Sequence, residues 1–267
     1  MAGAPALEEL LAEALDHPVE GWDFAWLVNE ERLQQDAFPW DYTELVVRRA
    51  RRSPDLLDLG TGGGERLASF PVRPRHTLAT ESYAPNVSVA GRRLAPLGIQ
   101  VVRTSAADDN PLQGAKTSKG SLPFRDGVFH LVIDRNEAFV AREVARVLAP
   151  RGIFLTEQSG SAEIPDLYRL LDLPPPPRST PSWDLHVAER QVARAGLEVL
   201  ESGEADFEMR FRDVGALVWY LRAVPWTVPD FSVDRCRKRL EDLHTRVLRN
   251  GPIRIPRYAF WFEAEKK

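Results

Sequence analysis

Residues 5–15 place leucines at helical spacing with glutamates between them, which predicts an amphipathic helix. Residues 20–50 continue at helical spacing, with Trp22, Phe24, Trp26, Leu27, Phe38, Trp40 and Tyr42 close together, until RRARRSP closes the stretch at Pro54. From there the period changes. DLLDL (55–59) is a short apolar run ending in glycines, the mark of a buried parallel strand. Residues 76–81, 99–104, 129–134 and 152–158 predict four more strands. Helices are predicted over 85–98, with Pro85 in the first turn and Gly98 as the stop, and over 137–150. The polar stretch 105–120 predicts a loop. Strand and helix alternate throughout, which indicates a parallel sheet covered by helices on both faces.

Beyond Gly160 the alternation loosens. A helix is predicted over 164–173, then four prolines (174–177), then a helix over 184–196. Residues 197–211 and 253–266 read as strands, and 213–251 between them as mostly helical. A long helical insertion between two late strands suits a substrate cap.

Composition narrows the class. At 267 residues, 43% hydrophobic and 28% charged, the chain can bury a full core. Lys+Arg is 35 against Asp+Glu at 39, so the net charge is -4, which argues against a protein that coats nucleic acid. No apolar run approaches the roughly 20 residues needed to span a bilayer. The first residues are acidic, with no Lys or Arg before Arg32, so no secretory signal is expected and a cytoplasmic location is. One cysteine, Cys236, closes no internal disulfide and builds no cysteine-based zinc site.

The informative motif is DLGTGGG, Asp58 to Gly64, where a strand runs in and a helix leaves. Glycines there let the backbone approach a ligand, and the helix start presents free N–H groups. A phosphate-cradling loop would end in Gly-Lys-Ser/Thr, which is absent. The dinucleotide fingerprint would need Gly or Ala where Glu65 stands, and a carboxylate there would repel a pyrophosphate. The spacing Asp-x-Gly-x-Gly-x-Gly resembles motif I of the class I S-adenosylmethionine (SAM) dependent methyltransferases. Glu81 ends the second strand, 21 positions after Gly60, where an acid can accept both ribose hydroxyls. LPFRDGVFHLVID (122–134) and VARVLAPRGIFLTEQ (144–158) resemble the fourth-strand and fifth-strand regions of the type 11 methyltransferase domain, so the resemblance covers about residues 54–160 in order. Three positions depart from the family pattern. Ser105 stands where many members place an Asp near the adenine, with Asp108 and Asp109 following. His130 replaces a common Asp, and Arg151 replaces the first Gly of a turn.

The resemblance implies an α/β, Rossmann-like sheet of seven mostly parallel strands. Its domains would be a helical lid segment at 1–53, a SAM-binding core at 54–212, a helical cap at 213–251 and the last core strand at 252–267. It implies methyl transfer from SAM to a small, aromatic or amphipathic molecule. An RNA methyltransferase and a non-catalytic SAM-binding protein remain open alternatives. Asp58, Gly60, Thr61, Gly62, Gly64, Glu81, Ser82, Ser105 and Asp134 would bind the cofactor. The candidate general bases are Asp134, Glu137 and Glu157, at strand C-terminal ends, although Asp134 and Asn136 more naturally hold the methionine part of the cofactor. Trp40, Tyr42 and Trp226 would line the acceptor pocket.

Other features have plain readings. The histidines, His186 near Trp183 included, read as capping or surface residues. The 108–110 acids read as turn formers rather than a metal site, and no metal is expected. The arginines at 48–52 read as a solvated helix end.

Overall fold

The computed structural model describes residues 5–19, 24–108, 110, 120–161, 164–174 and 182–267. In chain order its elements open with α1 (Leu7–Asp16), α2 (Ala25–Asn29), β1 (Leu33–Gln35), α3 (Tyr42–Ala50), β2 (Asp55–Leu59), α4 (Glu65–Ser69) and β3 (His76–Glu81). Next come α5 (Ala84–Leu94) with a 3-10 turn (Ala95–Leu97), β4 (Gln100–Arg103), β5 (Phe129–Arg135), α6 (Ala141–Val147) and β6 (Leu148–Ser159). The last are α7 (Ile164–Leu170), α8 (Leu185–Arg194), β7 (Leu197–Phe211), α9 (Val214–Ala223), α10 (Val233–Asn250) and β8 (Ile253–Lys266).

The strands hydrogen-bond in the order β1-β7-β8-β6-β5-β2-β3-β4. The pairs β2/β3, β2/β5, β3/β4 and β5/β6 are parallel, whereas β6/β8 and β1/β7 are antiparallel. In order of appearance the five parallel strands therefore run 3-2-1-4-5, and the winding reverses between β2 and β5. The sheet has eight strands rather than the expected seven. The extra one, β1, lies in the stretch whose spacing predicts helix. There Glu31 takes a left-handed φ of 54° and ends the α2 region, and β1 pairs Leu33 with Phe211 on β7. Pairing across such a sequence distance leaves no local signal.

The described residues form two compact units, one from 38–161, 179–205 and 259–267 and the other from 1–37, 162–178 and 206–258. The first unit is the sheet core. One face of its sheet carries Leu56, Ala79, Leu131, Ile133, Ile153 and Leu155, packed against Val46 of α3, Leu67 of α4 and Leu94 of α5. On the other face Phe154 meets Phe139 and Phe262 edge-on, Trp183 meets Phe139 and Phe260, and α6 packs on α8. Asp41 caps α3 by accepting from Thr43 N at 2.8 Å, and Asp184 caps α8 by accepting from Val187 N at 2.9 Å.

Helix α6 starts four residues later than the pattern predicts. Asn136 leaves β5 at φ 61°, a conformation Asn tolerates, and its side-chain oxygen accepts from Ser159 N at 2.8 Å. Arg151 adopts φ 63° at the position where the family turn places glycine, and its guanidinium pairs with Glu265 at 2.9 Å. The arginines at the end of α3 are held rather than free. Arg49 Nε donates to Glu263 at 2.8 Å, and Arg48 bridges Glu201 and Glu263. His130 is explained by Asp55, which accepts from its backbone N and lies 2.8 Å from its Nδ1.

In the other unit α1 packs on α9, where a Cβ at Gly215 would lie 2.6 Å from the Leu10 carbonyl oxygen. Arg32 is 2% exposed and donates to both oxygens of Asp213, at 2.9 and 3.1 Å, while its guanidinium sits 4.1 Å over the Trp26 ring. Asp213 also caps α9 through Ala216 N. His17 stacks on Trp26, which explains that histidine.

Candidate functional site

All five parallel strands end at one edge of the sheet, and the reversal between β2 and β5 opens a crevice there. Beyond β2 the chain turns through Gly60, Gly62 and Gly64 at φ 62°, 64° and 82°, a left-handed conformation that side chains other than glycine adopt only with strain. The end of β3 braces this turn. Gly60 N donates to Thr80 Oγ1 at 3.3 Å and Thr61 N to the Thr80 carbonyl at 2.9 Å. Gly62 N donates to Glu81 Oε2 at 2.7 Å, and Tyr83 N to Glu81 Oε1 at 2.7 Å. Glu81 is 3% exposed, so its carboxylate is a fixed part of the turn. Each oxygen keeps lone pairs for a further donor.

A shallow cleft, open to solvent, lies beside the turn and is lined by Gly60, Ser82, Ser105, Glu137 and Phe139 among others. Glu137 stands directly over the turn, since a Cβ on Gly60 would fall 2.4 Å from its Cγ. Around the turn, buried acids repel one another. Burial pushes Asp58 up to about 7, helped by the charge of Glu81 and against a hydrogen bond from Thr61 that favours its charged form. Burial, with the charges of Glu81 and Asp58, pushes Glu137 up to about 7 as well, against a hydrogen bond from Ser82 that favours its charged form. Burial also raises Glu81, which its backbone donors partly offset.

Asp134 is the penultimate residue of β5 and is fully buried. Its Oδ1 accepts from Gln158 Nε2 at 2.6 Å and Thr156 Oγ1 at 3.1 Å, whereas its Oδ2 has no partner. Burial, then the Glu137 charge, holds Asp134 well above the usual carboxylate range.

Glu157 points to the opposite face of the sheet. It accepts from Trp40 Nε1 at 2.8 Å and from Arg135 Nε at 2.8 Å. Trp40 stacks on Phe38 with centroids 4.9 Å apart. Tyr42 is 5% exposed, its ring is part of the core, and its hydroxyl donates to the Asp134 carbonyl at 2.9 Å. Trp226 belongs to the other unit and is 59% exposed. Trp22, Asp109 and prolines 175–177 lie outside the described residues. Sequence reasoning missed Thr80, Gln158 and Arg135. For Thr80 a signal existed, because it adjoins the strand-end acid.

No family model matches the chain, and no curated protein matches it in sequence. Among solved structures it is similar to the YcgJ protein from Bacillus subtilis, at TM-score 0.56 and 19% identity over 84% of this chain and 97% of that one. It is also similar to a candidate methyltransferase from Bacillus halodurans C-125, at TM-score 0.57 and 16% identity over 84% of this chain and 96% of that one. The chain has the class I methyltransferase fold. Likeness at these identities establishes fold and not substrate. Among the described residues no helix is long and apolar enough to cross a membrane, and no group of three or more His, Cys, Asp or Glu is placed to hold a metal.

Proposed function

We propose that the protein is a SAM-dependent methyltransferase acting on a small, aromatic or amphipathic molecule. The observation that carries this reading is the glycine turn tied by Gly62 N to the buried Glu81 carboxylate, at the sheet's switch point. The residues present fit the cofactor. Around the glycine turn, burial and mutual repulsion raise Asp58, Asp134 and Glu137 beside the buried Glu81, and a ligand carrying a sulfonium and an ammonium would relieve that repulsion. The unpartnered Asp134 Oδ2 offers an acceptor position.

In this reading Glu81 receives the ribose hydroxyls, and Ser82 and Ser105 border the adenine end. Asp134 and Glu137 face the positive end. Bound SAM supplies an electrophilic methyl group. The chain contributes alignment: Tyr42 and Gln158 fix Asp134 from its carbonyl and carboxyl sides, and the crevice keeps reacting atoms in line. Asp134, held by Thr156 and Gln158 with no solvent exposure, serves as a holding group rather than a general base.

Calorimetry with S-adenosylhomocysteine (SAH), followed by an SAH-release screen over small aromatic acceptors, tests the reading. Binding and turnover are expected. Absence of SAH binding by the folded chain refutes the cofactor, and binding with turnover only on RNA replaces the acceptor class.

A further inference from the structure

On the face of the sheet opposite Asp134, Arg135 lies near enough to Arg66, beside the glycine turn, for their charges to interact. Arg135 follows Asp134 at the end of β5, and Arg66 stands on α4, two residues past Gly64. The start of α3 links them. Arg66 Nη1 reaches Thr43 Oγ1 at 3.4 Å, and the neighbouring Tyr42 bonds the Asp134 carbonyl. Glu157 engages Arg135 only through Nε, and among the described residues the Nη groups of Arg135 have no hydrogen-bond partner and Arg66 has no carboxylate within ion-pair distance. A guanidinium offers five donors in a planar fork that matches an oxyanion, so most of that capacity stays available. Partial burial and then the Arg135 charge lower Arg66 below its ordinary value, and these outweigh the attraction of Glu157. Among the described residues Glu157 is the one carboxylate bonded to this pair. Beside it lies the Phe38–Trp40 stack, fixed by the Trp40 bond to the same Glu157.

We infer that Arg66 and Arg135 together hold an oxyanion of the methyl acceptor, a carboxylate or a phosphate monoester, with the stacked Phe38–Trp40 pair as the wall for its ring. This rests on the methyltransferase reading, because it places the acceptor on the far side of the turn from the acid-lined cleft. It also narrows the acceptor from aromatic or amphipathic to anionic aromatic.

Phenylglyoxal, which modifies guanidines, tests it on the full chain with SAH present, each site being read by peptide mass spectrometry. Benzoate and phenyl phosphate are titrated against benzamide, with the exposed Arg51 and Arg52 as internal controls. An anion is expected to slow modification of Arg66 and Arg135 about tenfold near nine-tenths occupancy, while benzamide and the control arginines show no change. Protection by benzoate alone assigns a carboxylate, and by phenyl phosphate alone a phosphate monoester. Equal rates with both anions and benzamide, or slowing matched at Arg51 and Arg52, overturn the inference. Inorganic phosphate protecting as well as phenyl phosphate overturns the aromatic wall. Arg66→Gln should remove the protection of Arg135, and unchanged protection would overturn the pairing. SAH calorimetry on the same samples separates the two levels. SAH binding without anion protection defeats this inference alone, whereas no SAH binding defeats the methyltransferase reading whatever the anions do.

Discussion

Replacing Glu81 by Gln tests the cofactor reading most directly, because it keeps shape and changes only charge and donor pattern. Both carboxylate oxygens accept a backbone N–H at 2.7 Å, from Gly62 and from Tyr83, in a site 3% exposed. A glutamine offers one oxygen and one NH2 group, so one of the two N–H donors must face another donor. A buried donor left unsatisfied costs about 1–3 kcal/mol of stability, which urea unfolding reads. The second loss falls on the ligand. A hydrogen bond to a charged acceptor contributes about 1.5–3 kcal/mol, and about 1.4 kcal/mol is tenfold in affinity, so SAH should bind roughly ten- to a hundredfold more weakly. Calorimetry at pH 8, where Asp58 and Glu137 are mostly ionised, measures it without interference from their titration. The measurement is made where circular dichroism and the urea midpoint show a folded variant. A folded Glu81→Gln protein that binds SAH within about threefold of the parent would remove Glu81 from the cofactor, since even one weakened charge-assisted bond exceeds that. Its role would then be to hold the glycine turn alone.

The raised acids predict a pH dependence: a cationic ligand favours their ionised forms, so SAM should bind more tightly as pH rises through about 7 and release protons to the buffer below that, and a flat profile between pH 6 and 8 would contradict the cluster. The same two groups bind protons in the folded state that the unfolded chain has lost, so their contribution to stability is full below pH 3.8 and declines as pH rises to about 7, which urea unfolding across that range can check. Gly60→Ala should cost about 1–2 kcal/mol from its left-handed backbone and abolish SAH binding, because its Cβ would collide with Glu137; normal binding would show that the turn can shift. Asp213→Ala leaves Arg32 buried without its main partner and uncaps α9, so a loss of about 3–5 kcal/mol is expected, and a urea midpoint near the parent's would show that Glu13 alone suffices for Arg32. Tyr42→Phe removes one bond to the Asp134 carbonyl and should cost about 1 kcal/mol in the same assay, with no change meaning that core packing alone holds Asp134.

What could be read from the sequence follows the range of the interactions involved. The parallel strands, and both late strands to the residue, were legible because apolar runs and glycine stops are local, as in DLLDL before Gly60 or the left-handed Gly98 after α5. Strand β1 was not, because its cause is pairing with Met209–Phe211 far along the chain. Helix α6 begins later than the apolar spacing at 137–140 predicts, because the deciding events are the left-handed Asn136 and its bond to Ser159 on the adjacent strand. The site divides in the same way. In a parallel sheet every strand delivers its C-terminal residue to one edge, so Asp58, Glu81 and Asp134 could be gathered in thought from strand ends alone. What they do to each other's protons could not, since that depends on burial and on Glu137 lying over Gly60. The arginine pair was further out of reach. The chain holds 35 basic residues, and nothing in the letters separates Arg66 and Arg135 from the rest. Their distinction comes from the register that sets Arg135 beside Glu157 on one face while Asp134, one residue earlier, faces the other. Alternation along a single strand thus sends the acid toward the proposed cofactor and the base toward the proposed acceptor, and one edge of the sheet can offer two ligands opposite charges about one residue apart.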